Sequence, residues 1–311
     1  MYIYTMKEQD IYFKSIHDFL AVFPDEQACI NHLEQIRWNG NVVSPFDETS
    51  KVYKCKNNRF KCANTNKYFN ARTGTIFESS NIKLIKWFLA LYVFSSHRKG
   101  VSSIQLGKDI DVSQKSAWFM LHRLRYAFGN SNNTDKLSGE IEADCTFVGG
   151  KTSFKHKSKR DLDNAKGTGA INKTPVFGMV ERNGNLVVGK VAKEDKATLQ
   201  PIMNEWIESG STLITDGHGA YKKTKFNHEV LEHEQGEYAR KHYHTANIDG
   251  FWSQFKRTIC GTYHQISPKH TNEYAQECAL RYNTRKMPTS TRFDFILENM
   301  IGRLTYKTLT V

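Results

Sequence analysis

The chain has 311 residues, 39% hydrophobic and 12% aromatic, which is enough for two or three domains that each bury a core. Its longest apolar run, Trp87 to Phe94, is too short to span a bilayer, and the six cysteines are scattered. No membrane span and no disulfide framework are expected, and a reducing cytoplasm suits the cysteines. A formal net charge of +12 favours a polyanionic partner, because a phosphate backbone rewards clustered Lys and Arg through counterion release.

Met1 to Asp10 show no basic start followed by an apolar stretch, so no secretory signal is expected. Asp25 to Trp38 reads as a helix. Asp25 is a cap after Pro24, Cys29, Leu33 and Ile36 recur at helical spacing, and Asn39-Gly40 stops the run. This gives an N-terminal helical segment over 1–40. From Val42 to Phe77 the chain turns into short strands and turns, a β module over 41–79 to be held by Tyr53, Phe60, Tyr68, Phe69 and Phe77. So small a module ordinarily needs a staple, often zinc. The ligands for one are poor: Cys55 and Cys62 are seven residues apart, and neither sits in a Cys-x-x-Cys pair. The knuckle positions read Ser44-Pro45-Phe46-Asp47 and Cys62-Ala63-Asn64-Thr65. The module is expected to fold without a full zinc site.

Ile82 to Ser96 reads as an amphipathic helix packed by Trp87, Leu89, Leu91 and Phe94. Ser102 to Trp118 follows with the pattern of a helix-turn-helix, giving a DNA-binding region over 80–130. Ser113 caps its second helix, which runs on through Ala117, Leu121, Leu124 and Phe128. Gln114, Lys115, His122, Arg123 and Arg125 are expected on its outer face, toward DNA.

Gly129 to Ser138 is a polar linker. Glu140 to Phe147 then alternates, with Ile141, Ala143, Cys145 and Phe147 on one face and Glu140, Glu142, Asp144 and Thr146 on the other. The insertion from Gly149 to Lys173 holds seven Lys or Arg. Val176 to Arg182 and Leu186 to Ala192 form a hairpin around Asn183-Gly184. Lys196 to Ser209 reads as a helix, and Thr212 to Thr215 as a buried strand ending at Asp216. Strand, strand, strand, helix, strand, then a late helix bearing an acid is the element order of a ribonuclease-H-like fold. An α/β catalytic domain, a mixed sheet flanked by helices, is expected over 138–290, with a C-terminal tail over 291–311.

His244 to Arg257 carries the densest chemistry. Asp249 and Lys256 are seven residues apart, so a helix returns them to nearly one face, with Trp252 and Ser253 between. Phe251, Trp252 and Phe255 are bulky enough to seat that helix on the sheet. Two aspartates at strand ends and one on a helix can hold two divalent metals that activate water in phosphodiester chemistry. His242, His244, His264 and His270 have no metal-site spacing and read as phosphate contacts or structure. Arg281, Arg285 and Lys286 read as a DNA-facing strip, and Cys260 and Cys278 as small buried residues.

These stretches resemble the DDE transposases of small bacterial insertion sequences, in the subgroup with a zinc-ribbon-like N-terminal region and an ISXO-type catalytic domain. The matching residues are Gly139 to Asp144 with Gly149-Gly150-Lys151, Pro175 to Arg182, Thr215-Asp216-Gly217 with Tyr221, and His244 to Arg257. Gly261-Thr262-Tyr263-His264 and Glu277 to Arg285 follow, and Arg37-Trp38, Thr73 to Phe77 and the helix-turn-helix match upstream. The resemblance implies that Asp144 and Asp216 are the first two catalytic acids and that Asp249 stands where the family commonly has Glu. Lys256 falls on the family's basic residue, expected to touch DNA beside the cleaved bond, with Arg257 next to it. Some relatives use Asn as third ligand; that position aligns with Ala246, beside Asn247, which makes Asn247 a further metal candidate. The family's acid after the first Asp is Cys145 here, and the ribbon is degenerate, having lost most of its usual cysteines.

The implied function is a DNA transposase using two Mg2+ or Mn2+ ions. It would act on terminal inverted repeats and target DNA as a homodimer or higher oligomer, in the bacterial cytoplasm at the nucleoid. The substitutions at Asp249, Cys145 and the ribbon leave two alternatives: a non-catalytic DNA-binding relative, and a same-fold nuclease without strand transfer.

Overall fold

A computed structural model describes residues 12–131, 135–149, 156–157, 173–232, 235–237, 239–240 and 242–310. Gly150-Lys151 and most of the basic insertion lie outside the described residues, as does Met1 to Asp10. The chain divides into two compact units, 1–131 with 286–311, and 132–285.

In the first unit, α1 (Ile16–Val22) and α2 (Glu26–Trp38) start where sequence chemistry puts them. Ser15 and Asp18 form a capping box on α1. Asp25 Oδ1 accepts from Ala28 N at 2.8 Å on α2, and Asn39 ends it in the left-handed conformation at φ 44°. The helix α3 (Leu84–Ser96) is buried along most of its length. An aromatic core of Phe13, Phe19, Phe23 and Phe88 closes around Phe293, with centroids 5.3–5.8 Å from that ring. Phe293 belongs to α9 (Thr289–Glu298), so the segment expected to be a separate tail is a core element of this unit.

The β module is an antiparallel sheet of β1 (Val52–Cys55), β2 (Arg59–Cys62) and β3 (Tyr68–Phe69), in that order. One face buries Phe60 and Phe69 against Trp38 of α2, at centroid distances of 5.2 and 6.1 Å. Tyr53 and Tyr68, expected to hold the module, are instead exposed, because strand alternation turns them to the opposite face. Cys62 is buried at the place expected for a metal knuckle. Burial pushes its thiol up, but hydrogen bonds with Ser44, Ser50 and Thr65 outweigh that and lower it to about 6. One thiol among three hydroxyls is not a donor set that suits zinc.

The helix-turn-helix pattern becomes α4 (Ser103–Asp109) and α5 (Gln114–Ser131), capped by Ser102 and Ser113. Gly107 makes the turn possible: a Cβ there would come 2.9 Å from the Val112 carbonyl oxygen. Only the first turn of α5 keeps the expected outward face, with Gln114 and Lys115 exposed. His122, Arg123 and Arg125 are 1%, 5% and 1% exposed, so the expectation that they face DNA is corrected. Arg123 shows why. Its guanidinium donates to the carbonyls of Ile76 at 2.6 Å, Leu304 at 3.1 Å and Glu78 at 3.2 Å, which binds α5 to two distant segments.

The second unit is a five-stranded sheet in the order β6-β5-β4-β7-β8. The strands are β4 (Glu140–Val148), β5 (Thr174–Glu181), β6 (Leu186–Lys190), β7 (Thr212–Asp216) and β8 (Asn227–Leu231). The first three in chain order pair antiparallel, while β7 runs parallel to β4 and β8 parallel to β7. Asn183, at φ 63°, turns the β5–β6 hairpin. On one face Ile141, Ala143, Phe177, Met179 and Leu213 pack on Leu199 and Met203 of α6 (Lys196–Trp206). On the other, Val176, Val180 and Val188 pack under α7 (Ala246–Thr258) and α8 (Thr271–Asn283). Helices thus flank a mixed sheet, an architecture compatible with a ribonuclease-H-like domain.

Candidate active site

The alternation of β4 sends Ile141 and Ala143 into the α6 core and leaves Glu142 and Asp144 on the face toward α7. The parallel β4–β7 register runs through Glu142↔Ile214. Asp144 and Asp216 each follow two residues beyond the last pair of that ladder, on neighbouring strands. Asp216 ends β7 with a short turn, its Oδ1 accepting from His218 N at 3.1 Å. Asp249 lies in the first turn of α7, exposed, its Oδ2 accepting from Thr245 Oγ1 at 2.9 Å.

Two devices fix α7 against the acid-bearing strand. The first is Glu142, fully buried, whose Oε2 accepts from the backbone N–H of Asn247 at 2.8 Å and of Ile248 at 3.0 Å. A buried carboxylate thereby satisfies the orphan donors at the N-terminus of α7 and sits at the positive end of its dipole. The Asn247 side-chain amide donates to Glu142 Oε1 at 2.7 Å, so its nitrogen is committed to this strand contact. His244 Nδ1 lies 3.4 Å and Arg182 Nη2 3.5 Å from the same Oε1. The second device is Gly178, which pairs directly with Asp144 across β4–β5. A Cβ at 178 would come 2.8 Å from Trp252 Cζ2, so the indole seats on bare backbone beside the acid. The expected core role of Phe251, Trp252 and Phe255 matches their burial.

The carboxylates act on one another. Burial pushes the Asp144 carboxyl up to about 7, and the charges of Asp216, Asp249 and Glu194 push the same way, against the Cys145 backbone N–H. Glu194 is raised too, by burial first; Asp216 adds to that, while His218, its Nδ1 3.7 Å from Glu194 Oε1, opposes it. Glu194 was not picked out from the sequence. It precedes Asp195, the cap of α6, and reads there as a solvated loop acid. Cys145 points to the other face, where burial and Glu194 raise its thiol beside the buried Tyr221.

Among the described residues, no group of three His, Cys, Asp or Glu side chains is gathered tightly enough to hold an ion as it stands. At Asp249 one carboxylate oxygen is already held by the Thr245 hydroxyl. The donors themselves are hard carboxylate oxygens under mutual repulsion, a set that suits Mg2+ or Mn2+ rather than soft metals.

Lys256 and Arg257 are exposed two turns along α7, with Ser253. Arg281 differs from expectation. It is buried, with Nη1 2.6 Å from Oε1 of the fully buried Glu277, which also accepts from Tyr263 OH at 2.5 Å. It serves the α8 interior, not a DNA-facing strip. Arg285 is exposed, its guanidinium 4.0 Å above the Tyr282 ring. Cys278 is buried as expected, but Cys260 is exposed in the π-helical turn Ile259–Tyr263 after α7.

A family profile for the ISXO2-like transposase domain matches residues 136–283. The chain is similar to that family over these residues. The match nearly coincides with the second compact unit, 132–285. The chain is also similar, at 27% identity over 298 residues, to an uncharacterized protein in transposable element ISH50 of Halobacterium salinarum. That alignment covers 91% of this chain and 99% of the relative, so the likeness runs through the flanks as well as the transposase domain.

Proposed function

We propose that the protein is a DNA transposase of an insertion sequence. It binds the terminal inverted repeats of its element, hydrolyses a phosphodiester at each end and transfers the freed strand to target DNA. The support for this reading is that acids carried by β4, β7 and α7 act on one another within the segment that matches a transposase domain, Asp144 being raised by burial first and then by Asp216 and Asp249. Asp144, Asp216 and Asp249 would hold two Mg2+ or Mn2+ ions, which when bound supply an activated water and stabilise the leaving oxygen. Glu142 and the Gly178–Trp252 contact fix α7, which carries Asp249, against the strand that bears Asp144. Lys256 lies beside the scissile phosphate and Arg257 on the flanking backbone. Gln114 and Lys115, at the start of α5, and Arg285 approach DNA. The nucleophiles are water and then a DNA 3′-hydroxyl, so no covalent protein–DNA intermediate forms. Two ends are processed together, so the working form is a dimer or higher assembly on DNA, in the bacterial cytoplasm at the nucleoid.

Asp216→Ala removes a carboxylate and no positive charge. The variant should bind element-end duplex as the wild type does and fail to nick it with Mg2+. Undiminished nicking by Asp216→Ala would refute the assignment. The short Asp249 and the loose grouping of the acids favour one second reading, a DNA-binding relative that has lost catalysis. Binding without any nicking by the wild type would select it.

A further inference from the structure

We infer that the exposed face of the β1-β2-β3 sheet binds duplex DNA through its phosphate backbone. The need for such a surface follows from α5, where three of the five residues expected to reach DNA are buried. The sheet register then points to where a substitute lies. Tyr53 pairs with Lys61, and Lys61 with Tyr68, so the three form one cross-strand row on one face. Arg59, two residues before Lys61, shares that face, and Lys51 stands two residues before Tyr53. The opposite face is the one that buries Phe60 and Phe69, so this one is free of the unit's core. Tyr53 and Tyr68, on the two edge strands, remain 49% and 51% exposed.

The cations on this face rest on the tyrosines. Lys51 Nζ lies 5.4 Å from the Tyr53 ring centre, Arg59 Cζ 4.8 Å from that of Tyr68, and Lys61 Nζ 5.9 Å from the same ring. Among the described residues none of the three makes an ion pair. From Lys51 to Phe77 the sequence holds seven Lys or Arg and no Asp or Glu. Two acids lie just upstream, Glu48 and Asp47, and Asp47 is occupied by Asn64 and Thr49. A row of unpaired cations with no acid among them gains from displacing counterions on a polyanion.

The chemistry selects phosphate over bases. Single-strand binders offer bare aromatic faces on which bases stack. Here each ring already carries a cation, Lys51 on Tyr53 and Arg59 with Lys61 on Tyr68, so charge competes with a base for the ring. The ligand is therefore a run of backbone phosphates, read without regard to base sequence.

This inference rests on the reading of the chain as a DNA-processing protein, and its test separates the two. The full chain carrying Asp216→Ala is titrated with labelled duplex, element-end and scrambled, across a salt series. Arg59→Ala with Lys61→Ala should weaken both duplexes equally and make the slope of log affinity against log salt shallower by about two units, roughly one per contact. Lys54→Ala, on the opposite face near Glu34, should leave binding unchanged. Tyr68→Phe should also bind nearly normally, because the ring still supports its cations. Thermal melting of each variant confirms that the module is folded. Unchanged duplex binding by the double variant overturns the inference and leaves the transposase reading untouched. A preference for single strands that is lost with Tyr53→Leu and Tyr68→Leu would also overturn it, in favour of base stacking. Absence of nicking by the wild type would count against the transposase reading alone.

Discussion

At Asp144, burial and three neighbouring carboxylates all disfavour the charged form. An unfolded Asp loses its proton near pH 3.9, whereas this one holds it to about 7 in the fold. Between those values the unfolded chain binds fewer protons than the native one, so the stability this group contributes is full below about pH 4 and is lost as pH rises to about 7. Asp144→Asn should therefore flatten the stability profile over that window and raise the melting temperature at pH 8 in the absence of divalent ions. Mg2+ should raise the melting temperature of the wild type and have little effect on the variant, by linkage to the bound form. Scanning fluorimetry across pH checks both, and identical profiles for the two proteins would contradict the assignment. Arg123 makes the opposite point about charge. Arg123→Ala strands three carbonyls that its guanidinium serves and should cost about 2–4 kcal/mol in chemical denaturation. Per folded molecule, the salt slope of DNA binding should not change. Asp144 and Asp216 were legible because strand alternation and a strand end are local signals. Glu194, Arg123 and Arg281 were not, because their partners lie far along the chain or, for Arg281, because the burial of Glu277 is set by tertiary packing.

The element on which the site turns is α7. Its start, its apolar face and the Asp249–Lys256 spacing can all be read in the residues, and the helix forms over Ala246–Thr258. What holds it at the right distance cannot be read locally. Gly178 looks like a weak point in a strand until Trp252 is placed against it, and Glu142 looks like the solvated partner of its neighbours until it meets the N-terminus of α7. Gly178→Ala would put a methyl where the indole lies, so Trp252 and the helix must shift. Displacements of about 1 Å can cost on the order of 100-fold in rate. The variant should lose cleavage on that scale while keeping its affinity for element-end duplex. Unaltered cleavage would show that the helix position is not set there. The β module errs in the same way: its aromatic content was legible, but the face each tyrosine takes depends on register.

On the scale of the whole molecule, the strand-rich centre declares itself through element order, and the transposase domain spans 136–283. The flanks do not, because contiguous reading treats 291–311 as a tail. In fact 286–311 closes on the N-terminal residues, with Phe293 buried among phenylalanines from before residue 90. An unbroken helical periodicity also hid that α5 is enclosed for much of its length. The central claim is that this chain, with Asp249 in place of the longer acid, still joins DNA. The direct measurement is a strand-transfer reaction in which a pre-cut element end with a free 3′-hydroxyl is incubated with wild-type protein, target plasmid and Mg2+ or Mn2+. The account predicts covalent end-to-target products that vanish with Asp144→Ala, Asp216→Ala or Asp249→Ala. Binding of the end without products from the wild type, under conditions where Asp249→Glu yields them, would contradict it.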